Sequence, residues 1–187
     1  MKLHLPSEFV LFDLEWTSWE GFMHSNWQMP GKYREVVQIG AIKVGDDLQE
    51  KDSFSAIIKP VKNPQLSDYV IHLTGITQDR VESEGRTLSE AVSDFLIFNS
   101  ELSLASWTAE DAGVLRSNCE LLGLPAAIPE ESVNIKALLG PALQERGIDP
   151  NNYNSGTLIE AFGKKGGRAH DAVNDMRNLL EVLKILA

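Results

Sequence analysis

Phe9-Val10-Leu11-Phe12-Asp13-Leu14-Glu15-Trp16-Thr17 decides the reading of the chain, because an apolar run of strand length ends in two carboxylates that alternate with large apolar side chains. The run reads as a buried central strand. Successive side chains of a strand point to opposite faces, so Asp13 and Glu15 share one face while Phe12, Leu14 and Trp16 take the other. Two like charges buried side by side need a neutralising partner, and a hard divalent cation held by oxygen ligands meets that need. The competing reading makes both residues solvent-facing loop carboxylates just past the strand, and Asp-x-Glu alone does not separate the two.

The whole chain sets the bounds. At 187 residues, 43% of them hydrophobic, it suits a single globular domain spanning 1–187. A formal charge of -10 argues against a protein that grips long duplexes through a broad basic surface. It permits local binding of a strand end through metal ions and a few basic residues. The single cysteine, Cys119, cannot form an internal disulfide and reads as a small core residue in a reducing compartment. Pro6, Glu8 and Asp13 interrupt any signal-like apolar region, and no stretch is long enough to span a membrane, so a cytoplasmic protein without membrane partners is expected.

Residues 18–34 form an insertion with Trp19, Phe22, Trp27, Met29 and Tyr33, broken by Gly21, Pro30 and Gly31. This aromatic loop beside the carboxylates either packs on the core or stacks bases, and packing ranks first. Glu35 to Val44 is strand-like, Gly45-Asp46-Asp47 is a turn, and Phe54 to Ile58 is a third strand stopped by Pro60, which completes a meander. Tyr69 to Thr77 reads as a short helix running into a turn at Gly75. Thr87-Leu88-Ser89-Glu90 has capping-box form and opens an amphipathic helix. A strand over Leu102 to Trp107, a helix from about Ala109 to Leu122, a short strand at Val133-Asn134-Ile135 and helices over 136–144, 157–162 and 172–186 follow. A meander followed by alternating helices and strands means an α/β fold: a mixed central sheet flanked by helices.

Asp111 follows the strand at Ser106-Trp107. Thr108, three residues earlier, gives the pair the look of a helix cap, so on local grounds Asp111 reads as a capping residue. His170 and Asp175 pose a geometric problem. Five residues apart within one helix they would point in directions roughly 140° apart and could hardly share a site. If the loop Lys164-Lys165-Gly166-Gly167-Arg168 delivers His170 and the helix begins near Asp171 as N-cap, His170 can fold over Asp175. That loop, with three basic residues and two glycines, is suited to meeting phosphate. His4, His24 and His72 read as ordinary surface residues.

Asp13-x-Glu15-x-Thr17, Leu73-Thr74-Gly75-Ile76-Thr77, Ser106-Trp107 with Asp111, and His170 followed by Asp175-x-x-Asn178 together resemble the successive motifs of the DEDD 3′-to-5′ exonucleases. Position 171 is Asp where the sister branch has Tyr, so the His variant (DEDDh) is indicated, most similar to its Eri-like branch. The stretches Glu35 to Ala41, Asn63-Pro64-x-Leu66-Ser67, Cys119 to Pro125 and Asn134-Ile135-Lys136 extend the resemblance over residues 8–185. Trp16 stands where this branch usually has a small residue, and Glu110 where it usually has an aromatic one.

The resemblance implies an RNase H-like fold, with Asp13, Glu15, Asp111 and Asp175 as ligands of two divalent ions, Mg²⁺ or Mn²⁺, and His170 as general base. It implies single-stranded RNA or DNA 3′ ends as substrate, RNA favoured, released as nucleoside 5′-monophosphates. It also places Thr17 and the Leu73-Thr74-Gly75 turn against the terminal nucleotide. Trp107 or the 18–34 loop is then suited to stacking the next base, and Lys164, Lys165 and Arg168 to meeting backbone phosphates. The rival expectations are an inactive exonuclease-fold module that binds nucleic acid or protein, and an RNase H-like nuclease that cuts internally.

Overall fold

The computed structural model of the chain describes residues 3–125, 127–167 and 169–187. Strands β1 (Phe9–Trp16), β2 (Val36–Val44) and β3 (Glu50–Ile57) form the meander. Helices α1 (Asp68–Thr74), α2 (Gln78–Glu84) and α3 (Leu88–Asn99) lead to β4 (Ser103–Ser106). Then come α4 (Asp111–Leu121), the two-residue β5 (Val133–Asn134), α5 (Ile135–Gln144) and α6 (Ala172–Leu186). The sheet order is β3-β2-β1-β4-β5, antiparallel across the meander and parallel from β1 through β4 to β5. The expected mixed sheet is therefore present, with β1 at its centre.

Helix starts follow side-chain chemistry. Ser67, Thr77, Asn134 and Asp171 each accept a backbone N–H from the first turn of the helix they precede, and Thr87 with Glu90 forms the full capping box. The meander's third strand begins earlier than its apolar residues indicate, at Glu50, because ladder pairing with β2 carries through the polar residues 50–53. α2 lacks an apolar period and has Val81 as its buried residue, so it is legible only through its cap.

The pleat of β1 divides the core. Phe9 and Leu11 face a cluster built on α5 and α6, while Val10, Phe12 and Leu14 face α3 and α4. Asp13 and Glu15 continue the first set and so meet the start of α6. What brings α6 so close is Gly40, paired with Asp13 across the β1–β2 ladder. A Cβ there would lie 2.5 Å from Ala172 Cβ and from the Val173 nitrogen. Gln38, opposite Glu15, reinforces the approach by accepting the Ala172 N–H at 3.3 Å.

Gly40→Ala should therefore push α6 off the sheet. Overpacking of this kind costs about 1–3 kcal/mol, or a melting temperature lower by about 5 °C for a chain of this length. The nuclease activity that the resemblance implies should fall further than stability, because α6 carries Asp175. A variant that melts and cleaves like wild type would show that the helix does not need this approach.

Candidate active site

Asp13, Glu15, Asp111, His170 and Asp175 all line one cleft of about 380 Å³ at the C-terminal end of β1. β1 presents the first two on its α6-facing side. α4 presents Asp111 in its first turn, where the helix start is capped differently from the sequence expectation. Ala109 takes a left-handed backbone (φ 65°), Glu110 occupies the cap position without a side-chain bond, and Thr108 does not cap. Asp111 is buried beside the cleft instead of serving as a solvated cap.

The start of α6 is built as the 140° argument requires. Asp171 is the N-cap and accepts the Asn174 N–H, so the helix begins at Ala172. His170 lies outside the helix in a left-handed conformation (φ 61°), and its backbone N–H donates to Asp175 Oδ2 at 3.2 Å. The ligand atoms of Glu15, His170 and Asp175 lie within 4.8 Å of one another. Asn178, one turn further along α6, ties down the loop before His170. It accepts the Gly167 N–H and donates to the Gly156 carbonyl, both at 3.0 Å.

Burial first, and mutual repulsion second, disfavour the charged carboxylates. Burial, and then repulsion from Asp111, Glu15 and Asp175, pushes the Asp13 carboxyl well above the usual carboxylate range. Burial followed by repulsion from Asp175 raises Glu15 to about 8. Burial raises Asp175 to about 7 and Asp111 to about 6, the latter opposed in part by the Arg34 guanidinium. Burial lowers the His170 pKa. Asp175 Oδ1 is buried and has no hydrogen-bond partner among the described residues. An orphaned carboxylate oxygen within a group of buried acids fits a hard divalent cation, which would satisfy the oxygen and remove the repulsion together.

The residues expected to contact substrate divide. Leu73 and Trp107 line the cleft, although Trp107 is only 7% exposed and most of its ring packs in the α5–α6 core. Thr17 and Thr74 are placed otherwise. Thr17 is buried, its hydroxyl donating to the Tyr33 carbonyl at 2.6 Å and accepting the Glu35 N–H at 2.9 Å. The Thr74 hydroxyl donates to the Val70 carbonyl and accepts the Ile76 N–H. Both hydroxyls are used to hold backbone, so neither faces the cleft. Lys164 pairs with Glu181 at 3.6 Å, and neither it nor Lys165 lines the cleft. Arg168 lies outside the described residues.

Several residues of the cleft carry no sequence signal. Asn154 and Ser155 reach it from an irregular loop, and neighbouring Gly156 leaves room for Asp175, since a Cβ there would collide with its carboxylate. Arg34 and Trp27 come from the insertion, which packs on itself through edge-to-face pairs Trp19–Phe22 and Phe22–Trp27 while Trp27 and Met23 reach the cleft wall. Packing and cleft-lining are thus shared among its aromatics.

The RNase T family profile, described as exonuclease, matches residues 10–183. The chain belongs to that exonuclease family. ERI1 exoribonuclease 3 of Homo sapiens is 25% identical over 169 residues, which cover 82% of this chain and 48% of that protein, so the exonuclease chain spans about half the length of the curated relatives it matches. The nuclease domain of 3′hExo, a DEDDh family member bound to rAMP, superposes with a TM-score of 0.76 at 23% identity, covering 95% of this chain and 90% of that one. Cell-death related nuclease 4 gives a TM-score of 0.79 at 20% identity, covering 96% of this chain and 63% of that one. The fold is RNase H-like, and the likeness is to exoribonucleases of the ERI1 kind and to a DEDDh nuclease domain, in keeping with the motifs.

Proposed function

We propose that residues 1–187 act as one 3′-to-5′ exonuclease domain that hydrolyses single-stranded nucleic acid, RNA in preference to DNA, from its 3′-hydroxyl end. The observation that carries this reading is the convergence of three buried carboxylates, the half-buried Asp13 and one imidazole on a single cleft. The preference for RNA rests on the exoribonuclease relatives and the rAMP-bound neighbour. A cytoplasmic setting agrees with the lone, unpaired Cys119. No helix among the described residues is long and apolar enough to cross a membrane.

Asp13, Glu15, Asp111 and Asp175 make an all-oxygen set suited to two hard divalent ions, Mg²⁺ or Mn²⁺. Bound there, such ions supply a nucleophile at neutral pH, neutralise charge on the phosphate and stabilise the leaving 3′-oxygen. His170 takes the proton from the attacking water at a ring nitrogen. Burial lowers its pKa, so the imidazole is neutral and able to accept at physiological pH. Asp175 fixes the base by accepting the His170 backbone N–H, and Asn178 holds the loop behind it. Leu73 and Trp107 wall the space for the terminal nucleotide, and the product is a nucleoside 5′-monophosphate.

A time course on 5′-labelled linear RNA and DNA oligomers with Mg²⁺ or Mn²⁺ tests this, beside circular single strands and the His170→Ala variant. A descending ladder from linear strands, absent with circles and lost in the variant, is the expected result. Cutting of circles would make the protein an internal nuclease. No cleavage with either ion would leave a binding module on an exonuclease fold.

A further inference from the structure

Arg34 is a cation that the proposed chemistry has not used. Its guanidinium carbon lies 3.9 Å from the Trp16 ring centroid and 4.5 Å from that of Trp27, and the two indoles meet edge to face at 5.6 Å. Phe22, fully buried, braces Trp27 from behind at 5.6 Å. The backbone is equally fixed, because Asn118 of α4 donates to the Arg34 carbonyl at 3.0 Å and accepts the Val36 N–H at 2.9 Å. Stacking occupies the faces of a guanidinium and leaves its in-plane N–H donors available. Among the described residues the Arg34 side chain makes no hydrogen bond or ion pair, and its Nε is buried without a partner.

Its position is as telling as its unused donors. Among the described residues Arg34 is the one lysine or arginine that lines the catalytic cleft. It also lines a second groove of about 590 Å³ between the 18–34 loop and the first turns of α4. Trp27, Arg34 and Glu110 belong to both, so the groove continues the cleft. Gly113 and Ser117 form part of its floor, and Arg116, which donates to the Pro129 carbonyl, supplies a second cation there. A strand whose 3′ end sits among the carboxylates must leave the cleft by some route. In a chain of charge -10 the route that carries both arginines is the one a polyanion would take.

The geometry points to Arg34 as a substrate-binding residue that grips the phosphodiester next upstream of the scissile one and turns the strand into the groove beside α4. This inference rests on the exonuclease reading above. The stacked guanidinium is held ready, with its donor edge pre-oriented for a phosphate and little side-chain freedom left to lose on binding. Glu110, on the opposite wall and within electrostatic reach of Arg34, confines the phosphate to the arginine side by repelling it.

A 5′-hydroxyl dinucleotide contains only the scissile phosphate, whereas the trinucleotide adds the upstream one. Steady-state release of the 3′ nucleotide from both, by wild type, Arg34→Gln and Arg34→Lys, therefore isolates the contact. Arg34→Gln should raise the trinucleotide KM about tenfold beyond any change in the dinucleotide KM, as expected for loss of a charge-assisted bond. On longer strands the slope of log KM against log salt should fall by about 0.7, one phosphate contact on a single strand. Arg34→Lys, which keeps the charge and loses the planar fork, should restore that slope and part of the KM.

An unchanged trinucleotide KM in Arg34→Gln overturns the proposal. So does an equal drop in kcat on both substrates, which would place Arg34 with the carboxylates. Release of no nucleotide by wild type would instead sink the exonuclease reading itself. The melting temperature of each variant separates these results from loss of fold.

Discussion

Asp175→Asn should reduce nucleotide release about 10³-fold or more while leaving the metal-free protein as stable as wild type or more so. On the proposed mechanism the loss follows from removing one oxygen ligand and its charge. Metal ions contribute several kcal/mol of charge stabilisation to such transition states, and each 1.36 kcal/mol is tenfold in rate. The gain follows from repulsion. Asp175 is 2% exposed, has one oxygen without a partner, and ranks first among the charges that raise Glu15. Asparagine keeps an oxygen for the His170 N–H and removes the charge.

Burial of these carboxylates, reinforced by their crowding, sets a pH dependence. In the fold Glu15 titrates at about 8 and Asp175 at about 7, against 4.5 and 3.8 for the unperturbed groups. Between about pH 4 and pH 8 the folded chain thus binds more protons than the unfolded one, and its stability falls as pH rises. Metal-free wild type should lose about 5 °C or more in melting temperature between pH 5 and pH 8, and Mg²⁺ should restore it. Asp175→Asn should show a shallower decline and a smaller response to Mg²⁺. A metal-free variant melting well below wild type at pH 8 would make Asp175 a structural residue.

The parts of this site that the sequence discloses are those governed by a period. Alternation along β1 assigns Asp13 and Glu15 to one face, and α6, which packs there, carries Asp175. The 3.6-residue turn forces His170 out of that helix, and Asp171 caps it accordingly. What stays hidden depends on chain reversals and close approaches that have no period. The left-handed turn at Ala109 sets aside the Thr108 cap and buries Asp111. Thr17 sits in sequence like a residue of the cleft, yet its hydroxyl is taken by Tyr33 and Glu35, whose carboxylate in turn gathers the N–H groups of Val61, Lys62 and Asn63. Gly40, Gly156 and Arg34 acquire meaning only through what packs against them.

His170→Ala should lower kcat about 10²- to 10⁴-fold at saturating metal, the usual contribution of a general base, with little change in KM. His170 also lies near enough to Glu15 and Asp175 to act as a ligand, and the two roles separate cleanly. Loss of a base leaves the metal concentration for half-maximal activity unchanged and removes the acid limb of the kcat profile. That limb should lie below the imidazole's ordinary pKa, because burial depresses it. Loss of a ligand raises the metal requirement at every pH. The backbone adds an independent check, since His170 holds φ at 61°, a conformation that costs a side-chain-bearing residue about 1–2 kcal/mol and glycine almost nothing. His170→Gly should therefore be as inactive as His170→Ala yet more stable than wild type. A left-handed histidine is retained against that cost because the strained turn is what folds the imidazole over Asp175. A glycine variant less stable than wild type would show that the ring itself, and not its chemistry, is what the turn needs.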